Sequence, residues 1–237
     1  MPWDEVTAVC LDLGGTVIRE GRRSATRELA ELLGVPFVEM RDYLARGAKR
    51  RRMAPHELAA RVAADHGRPQ RAAAVERLLR RRLAAARHPV PYADAPPALA
   101  ALRRRGYRLA FLSDVLGPIT PRRHSDVLLR LADTVALSCD TGWVKPERQA
   151  FAAVERAMSV PVERLVHVGD SWDVDVVGAL AAGWRAVYVR RDTATGPPID
   201  AEVDEDRWRE VRHLGELLDL LPSVPGNGVR AESERVS

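Results

Sequence analysis

Four short stretches of this 237-residue chain carry side chains that packing alone does not explain. "VTAVCLDLGGT" ends an apolar run on Asp12 and turns through Gly14, Gly15 and Thr16; "AFLSD" closes another on Ser113 and Asp114. "GWVKPE" holds Lys145, and "LVHVGDSWDVD" ends a third run on Asp170, with Asp173 and Asp175 following. A carboxylate at the tip of a buried strand is costly unless a positive group or a metal meets it. Carboxylates are ligands that Mg2+ accepts, and two such groups could share one ion. A serine hydroxyl beside backbone N–H groups can bind the oxygens of an anion. Lys49 and Lys145 are the only lysines among 37 basic residues, so a generic surface cation in this chain would nearly always be arginine. At position 145 a compact ammonium fits between an anion and a carboxylate where a planar guanidinium does not.

The elements that would position these groups alternate. Residues 6–12, 107–114, 134–138, 164–170 and 185–190 read as buried strands rich in β-branched and aliphatic side chains. Helical patterns lie between them: one closes on Gly106, one opens with Pro146 in a first-turn position, and one closes on Gly183. This order predicts an α/β fold, a Rossmann-like parallel sheet with helices on both faces. Functional groups in such sheets gather at the carboxyl ends of the strands, which would bring the four stretches to one crevice.

Residues 24–88 have no strand pattern. A Ser24 N-cap and a Gly34 stop bracket a first helix, and helical stretches follow over 38–52, 55–66 and 70–87, as in a small bundle. The expected layout is a sheet domain made of 1–18 and 92–221, a helical insertion at 19–91, and a disordered tail at 222–237, where Pro, Gly and Ser lack periodicity. Charge follows the same division: residues 19–91 hold 18 Lys and Arg against 8 Asp and Glu, whereas the rest holds 19 against 25. Runs such as "KRRR" (49–52) offer an anion-binding surface or simply solvated helix faces. No aromatic residues interleave with them, which argues against nucleic acid. Two cysteines, Cys10 and Cys139, make no disulfide framework, no apolar run is long enough for a membrane span, and the start lacks a secretory layout. A cytoplasmic monomer or homodimer without membrane or nucleic-acid partners is expected.

The four stretches together resemble the haloacid dehalogenase superfamily of aspartate-nucleophile phosphohydrolases, over nearly the whole chain to about Leu221 and including a helical cap after the first motif. The resemblance implies that Asp12 is the nucleophile with Thr16 beside it, that Ser113 is the second motif and Lys145 the third, and that Asp170 and Asp175 form the fourth. It implies a Mg2+ site from Asp12, Asp170, Asp175 and the Gly14 backbone carbonyl, and a small phosphorylated substrate held by Ser113, Asp114, Lys145 and Gly15. The residue types agree with that chemistry. A phosphomonoester dianion repels nucleophiles, so attack by Asp12 requires its charge to be neutralised and the carboxylate to be held in line. An aspartyl-phosphate formed on Asp12 would then be cleaved by water.

Two positions depart from the family pattern. Asp114 stands where Asn is common, and Gly14 stands where phosphatases of the family usually have a second Asp that serves as general acid and base. General acid–base catalysis is worth about 10² to 10⁴ in rate, so most of the acceleration survives its loss. The glycine favours a substrate with a good leaving group, such as an acyl or anomeric phosphate. A phosphotransferase, a phosphonate hydrolase with Lys49 as its Schiff-base lysine, a dehalogenase and a non-catalytic phosphate-binding module remain the alternative readings. His56 and His66 are expected to be exposed, His167 and Cys10 to be packed in strands, and Trp143 and Trp172 either to wall the pocket or to pack.

Overall fold

The structure is a computed structural model that describes residues 3–19, 21, 23–119, 129–191 and 204–225. Six parallel strands, β1 (Ala8–Leu11), β2 (Arg108–Ser113), β3 (Thr134–Leu137), β4 (Leu165–Gly169), β5 (Arg185–Val189) and β6 (Trp208–Val211), form one sheet in the order β3-β2-β1-β4-β5-β6. The order reverses at β1, which pairs with β2 on one side and β4 on the other. That reversal opens a crevice at the carboxyl ends of β1 and β4.

Alternation along the strands builds two cores. Val9, Leu11, Leu109, Phe111, Val166 and Val168 face one layer, packed with Leu99 and Leu102 of α5 (Ala95–Arg104) and Leu217 of α9 (Leu217–Leu220). Ala8, Cys10, Ala110, Leu112 and Leu165 face the other, against Phe151, Val154 and Met158 of α7 (Arg148–Met158) and Ala179 of α8 (Val177–Ala181). A sheet covered on both faces needs strands that are buried throughout, and β1, β4 and β5 are. Cys10 therefore packs as expected, and its burial pushes the thiol pKa far up.

The helical region is α1 (Ala25–Leu33), α2 (Phe37–Arg46), α3 (Pro55–Asp65) and α4 (Ala72–Ala86). Ser24 caps α1 by accepting the Arg27 N–H, and Gly34 ends it in the left-handed conformation. Leu29, Leu33, Met40, Leu44, Leu58, Val62, Val75 and Leu79 make a third core, which Leu116 joins from the sheet domain. The chain enters and leaves this region side by side: Arg19 N–H donates to the Val90 carbonyl at 2.8 Å and Tyr92 N–H to the Val17 carbonyl at 3.0 Å.

Several expectations change. The helical stretch over 38–52 stops at Arg46, because Gly47 leaves helical geometry at φ −137° and residues beyond it turn and extend. Pro146 is not in a first turn; after the one-turn α6 (Ser138–Thr141), α7 starts at Arg148, since Glu147 closes a tight turn back to the Val144 carbonyl at 2.9 Å. His66 is packed, its ring 4.7 Å from that of Tyr43 and its Nδ1 2.7 Å from the Val62 carbonyl oxygen, whereas His56 is exposed. Strand β6 joins the sheet edge unforeseen. The first residues of the expected tail lie on the body, where Val224 N–H donates to the Arg105 carbonyl at 2.8 Å; residues 226–237 fall outside the described set. Among the described residues, no helix is long and apolar enough to cross a membrane.

Candidate active site

Asp12 follows β1 directly, its N–H donating to the Val168 carbonyl at 2.9 Å, so it stands at the tip of the central strand beside the end of β4. The chain then turns through Gly14, half-buried, and Gly15, at φ +80°. Gly15 N–H closes the turn onto the Ile18 carbonyl at 2.9 Å. A Cβ on Gly15 would lie 2.2 Å from Asp170 Oδ2, so this position needs glycine both for its conformation and for the approach of Asp170. Thr16, fully buried, donates its hydroxyl to Asp170 Oδ1 at 3.1 Å and so fixes the second acidic tip against the first.

Lys145 lies in the turn before α7, and its Nζ reaches across to Asp12 Oδ1 at 2.8 Å and Asp175 Oδ1 at 2.6 Å. Burial works against its charge, but Asp12, Asp175 and Asp114 outweigh that and hold its pKa above the usual lysine value. Asp175 comes from the π-helical turn Trp172–Val176 that leads into α8. Burial raises its pKa, yet Lys145 and the hydrogen bond from His167 together bring it well below the ordinary carboxylate range. Both of its oxygens are engaged, Oδ1 by Lys145 and His167 Nε2 at 3.0 Å, Oδ2 by the Ser171 N–H at 3.0 Å. Gly169 makes room for this carboxylate, since a Cβ there would lie 2.2 Å from its Cγ.

Asp12, Asp170 and Asp175 each bring a carboxylate oxygen within 4.8 Å of the others. Hard oxygens in a buried cluster fit Mg2+. Asp12 and Asp170 are better disposed for direct ligation than Asp175, whose oxygens already receive protein donors.

The departure at Asp114 has a local explanation. Its Oδ1 accepts the Lys145 N–H at 3.1 Å, so the carboxylate faces the lysine turn. Burial raises its pKa, against the pull of Lys145 and Lys49. Ser113, next to it in the chain, is buried at the end of β2. Asp173 contributes nothing to the cluster of three. Trp172 packs in the core, its ring edge-on to Tyr188 at 5.9 Å and Trp208 at 4.8 Å; Trp143 is exposed. His167 is the residue that sequence reasoning passed over as mere packing. It has the same strand parity as Asp12 once β1 and β4 are in register, with Cys10 opposite His167, and that parity was the available signal.

A family model described as haloacid dehalogenase-like hydrolase matches residues 6–183. The glyceraldehyde 3-phosphate phosphatase of Methanopyrus kandleri is 32% identical over 138 residues, 55% of this chain and 56% of that protein. The phosphoserine phosphatase of Thermus thermophilus is 36% identical over 123 residues, 51% of this chain and 47% of that protein. The chain thus spans about half the length of the curated relatives it matches. Among solved structures, a HAD phosphatase from Thermococcus onnurineus superposes with a TM-score of 0.56 at 24% identity, covering 94% of this chain and 100% of that one. A 2-haloacid dehalogenase from Pseudomonas syringae gives a TM-score of 0.63 at 22% identity, covering 91% and 97%. At these identities the structural likeness establishes the fold alone. With the matched family model spanning the sheet strands β1 to β4 and every acidic tip of the crevice, the chain belongs to the haloacid dehalogenase-like hydrolases.

Proposed function

We propose that the protein is a Mg2+-dependent phosphatase of a small phosphorylated metabolite, with Asp12 as nucleophile and no acidic side chain at position 14. The observation that carries this reading is the buried Asp12–Lys145–Asp175 chain beside Asp170. Such a chain fixes the attacking carboxylate through the Lys145 ammonium, and leaves a cation and a strand-end serine around the phosphoryl position. Relatives named as phosphatases support the same class.

In this reading an Asp12 oxygen attacks phosphorus, the bond to the leaving oxygen breaks, and the phosphoryl group rests on Asp12 until water releases it. Asp12, Asp170 and the Gly14 carbonyl would hold Mg2+, whose chemistry there would be to offset negative charge at the phosphoryl group, while Asp175 anchors Lys145. Lys145 and Ser113 neutralise and bind the same oxygens. The helical region, residues 19–91, is proposed as a cap that excludes water and selects the substrate. Without an acid at position 14, substrates whose leaving group needs no proton are preferred.

The test is phosphate release from a panel of acyl, anomeric and alkyl phosphates with and without Mg2+. The reading expects metal-dependent release, abolished in Asp12→Asn, with acyl or anomeric phosphates ahead of alkyl monoesters by about 10² or more. Gly14→Asp should narrow that gap. Release that ignores Mg2+ and survives Asp12→Asn would sink the proposal.

A further inference from the structure

Besides the packing of Leu116 into the helical core, the helical region meets the sheet domain through the segment after α2, residues 48–53. The Ala48 carbonyl accepts the Gly117 N–H at 3.2 Å, and a Cβ on Gly117 would lie 2.2 Å from the Arg51 carbonyl oxygen, so the two backbones touch. Two arginines of this segment then clamp carboxylates of the sheet domain. Arg50 donates from Nη2 and Nη1 to the two oxygens of Glu147 at 2.5 and 3.1 Å, from Nη1 to the Gly142 carbonyl at 3.2 Å, and from Nε to the Ala45 carbonyl at 2.8 Å. Arg52 grips Asp140 with a second bidentate pair at 2.6 and 2.8 Å.

The clamps differ in what their carboxylates hold next. Among the described residues, Asp140 receives, besides Arg52, a long contact from the Cys139 thiol at 3.8 Å. Glu147 Oε2 also accepts the Val144 N–H at 3.3 Å, and its own N–H returns to the Val144 carbonyl, closing the turn that contains Lys145. The next N–H, that of Lys145, is held by Asp114. The hydrogen bond from Arg50 is the main reason that the Glu147 carboxyl lies below its ordinary pKa, so it stays ionised as an acceptor.

We infer that Arg50 is a positioning residue: through Glu147 and the Val144 N–H, it ties the seating of the helical region to the placement of Lys145. The inference rests on the proposed role of Lys145 at the phosphoryl group. It assigns Arg50 a task that Arg52, with its own bidentate carboxylate pair two residues away, does not share. A bidentate guanidinium fixes both oxygens of Glu147 at once, which an ammonium cannot do.

Amide hydrogen exchange on the full chain, without substrate or metal, reads the turn directly. Arg50→Gln and Glu147→Gln should each speed exchange at Val144 and Lys145 about tenfold, while Arg52→Gln changes it less than about twofold. Arg50→Lys keeps the charge but not the fork; it should behave like Arg50→Gln and serves if that variant unfolds. With a phosphomonoester and Mg2+, Arg50→Gln should lower kcat about tenfold with KM within about twofold, a split that mere loosening of the interface would not give. Should the native protein hydrolyse no phosphoester, the proposed reaction fails and the exchange experiment still decides the role of Arg50. Unchanged exchange in Arg50→Gln, or an equal rise in Arg52→Gln, overturns the inference.

Discussion

The helical region and the sheet domain use ionic contacts in opposite ways. In the helical region, pairs such as Arg23–Glu31 at 2.5 Å and Arg80–Glu76 at 2.7 Å join side chains that are mostly solvated. In the sheet domain, Lys145 meets Asp12 and Asp175 at similar distances, but the three side chains are 3%, 10% and 2% exposed. Distance is nearly the same and consequence is not. A solvated pair exchanges water for a partner at little net gain, whereas members of a buried chain have no water to return to. Much of the basic surplus of the helical region is therefore solvated, whereas the acidic surplus of the sheet domain includes the buried cluster around Lys145.

The sharpest way to break this contrast is to remove the buried cation. Lys145→Met leaves Asp12 and Asp175 facing each other without compensation and should cost about 3–5 kcal/mol in urea unfolding. A loss below about 1 kcal/mol would mean that water enters the cluster. Next in size is Gly15→Ala, which combines a left-handed backbone with a Cβ driven into Asp170. It should cost about 1–3 kcal/mol and weaken Mg2+ binding measured by calorimetry.

Two buried carboxylates sharpen the contrast through pH. The Asp175 pKa is depressed in the folded protein, so the stability it contributes is present above the ordinary carboxylate value of about 4 and is lost as pH falls through its folded pKa. The Asp114 pKa is raised, so its cost is absent below about 4 and develops as pH rises through the folded value. Asp114→Asn keeps an acceptor for the Lys145 N–H and discards the buried charge. Without added metal, the variant should be more stable than the native protein at pH 7, by up to about 1 kcal/mol, and equal to it near pH 3. The smallest effect belongs to the solvated pairs: Arg23→Ala should change unfolding free energy by less than about 0.5 kcal/mol.

How much of this was legible in the sequence follows from the same physics. Strand tips were readable because apolar runs that stop on Asp12, Ser113 and Asp170 leave few other places for those groups. Strand β6 was not, because "WREV" at a sheet edge has one buried residue and no alternating pattern to betray it. The end of α2 was misplaced because Lys and Arg are good helix formers and the run continued in composition after Gly47 had ended it in geometry. Asp114 was legible in the sequence as a departure from the family pattern, but not its hold on the Lys145 N–H, a contact between residues 31 apart. His167 was placed correctly in a strand, and its parity puts it on the Asp12 face, but its bond to Asp175 also needs the π-helical turn that aims that carboxylate back at β4.

In the proposed reaction Asp12 itself carries the phosphoryl group. Incubation with radiolabelled acetyl phosphate and Mg2+, followed by acid quench and peptide mapping, tests it most directly. A label is expected on the peptide containing Asp12, removed by hydroxylamine and abolished together with phosphate release in Asp12→Asn. Phosphate release at the native rate from Asp12→Asn would contradict it.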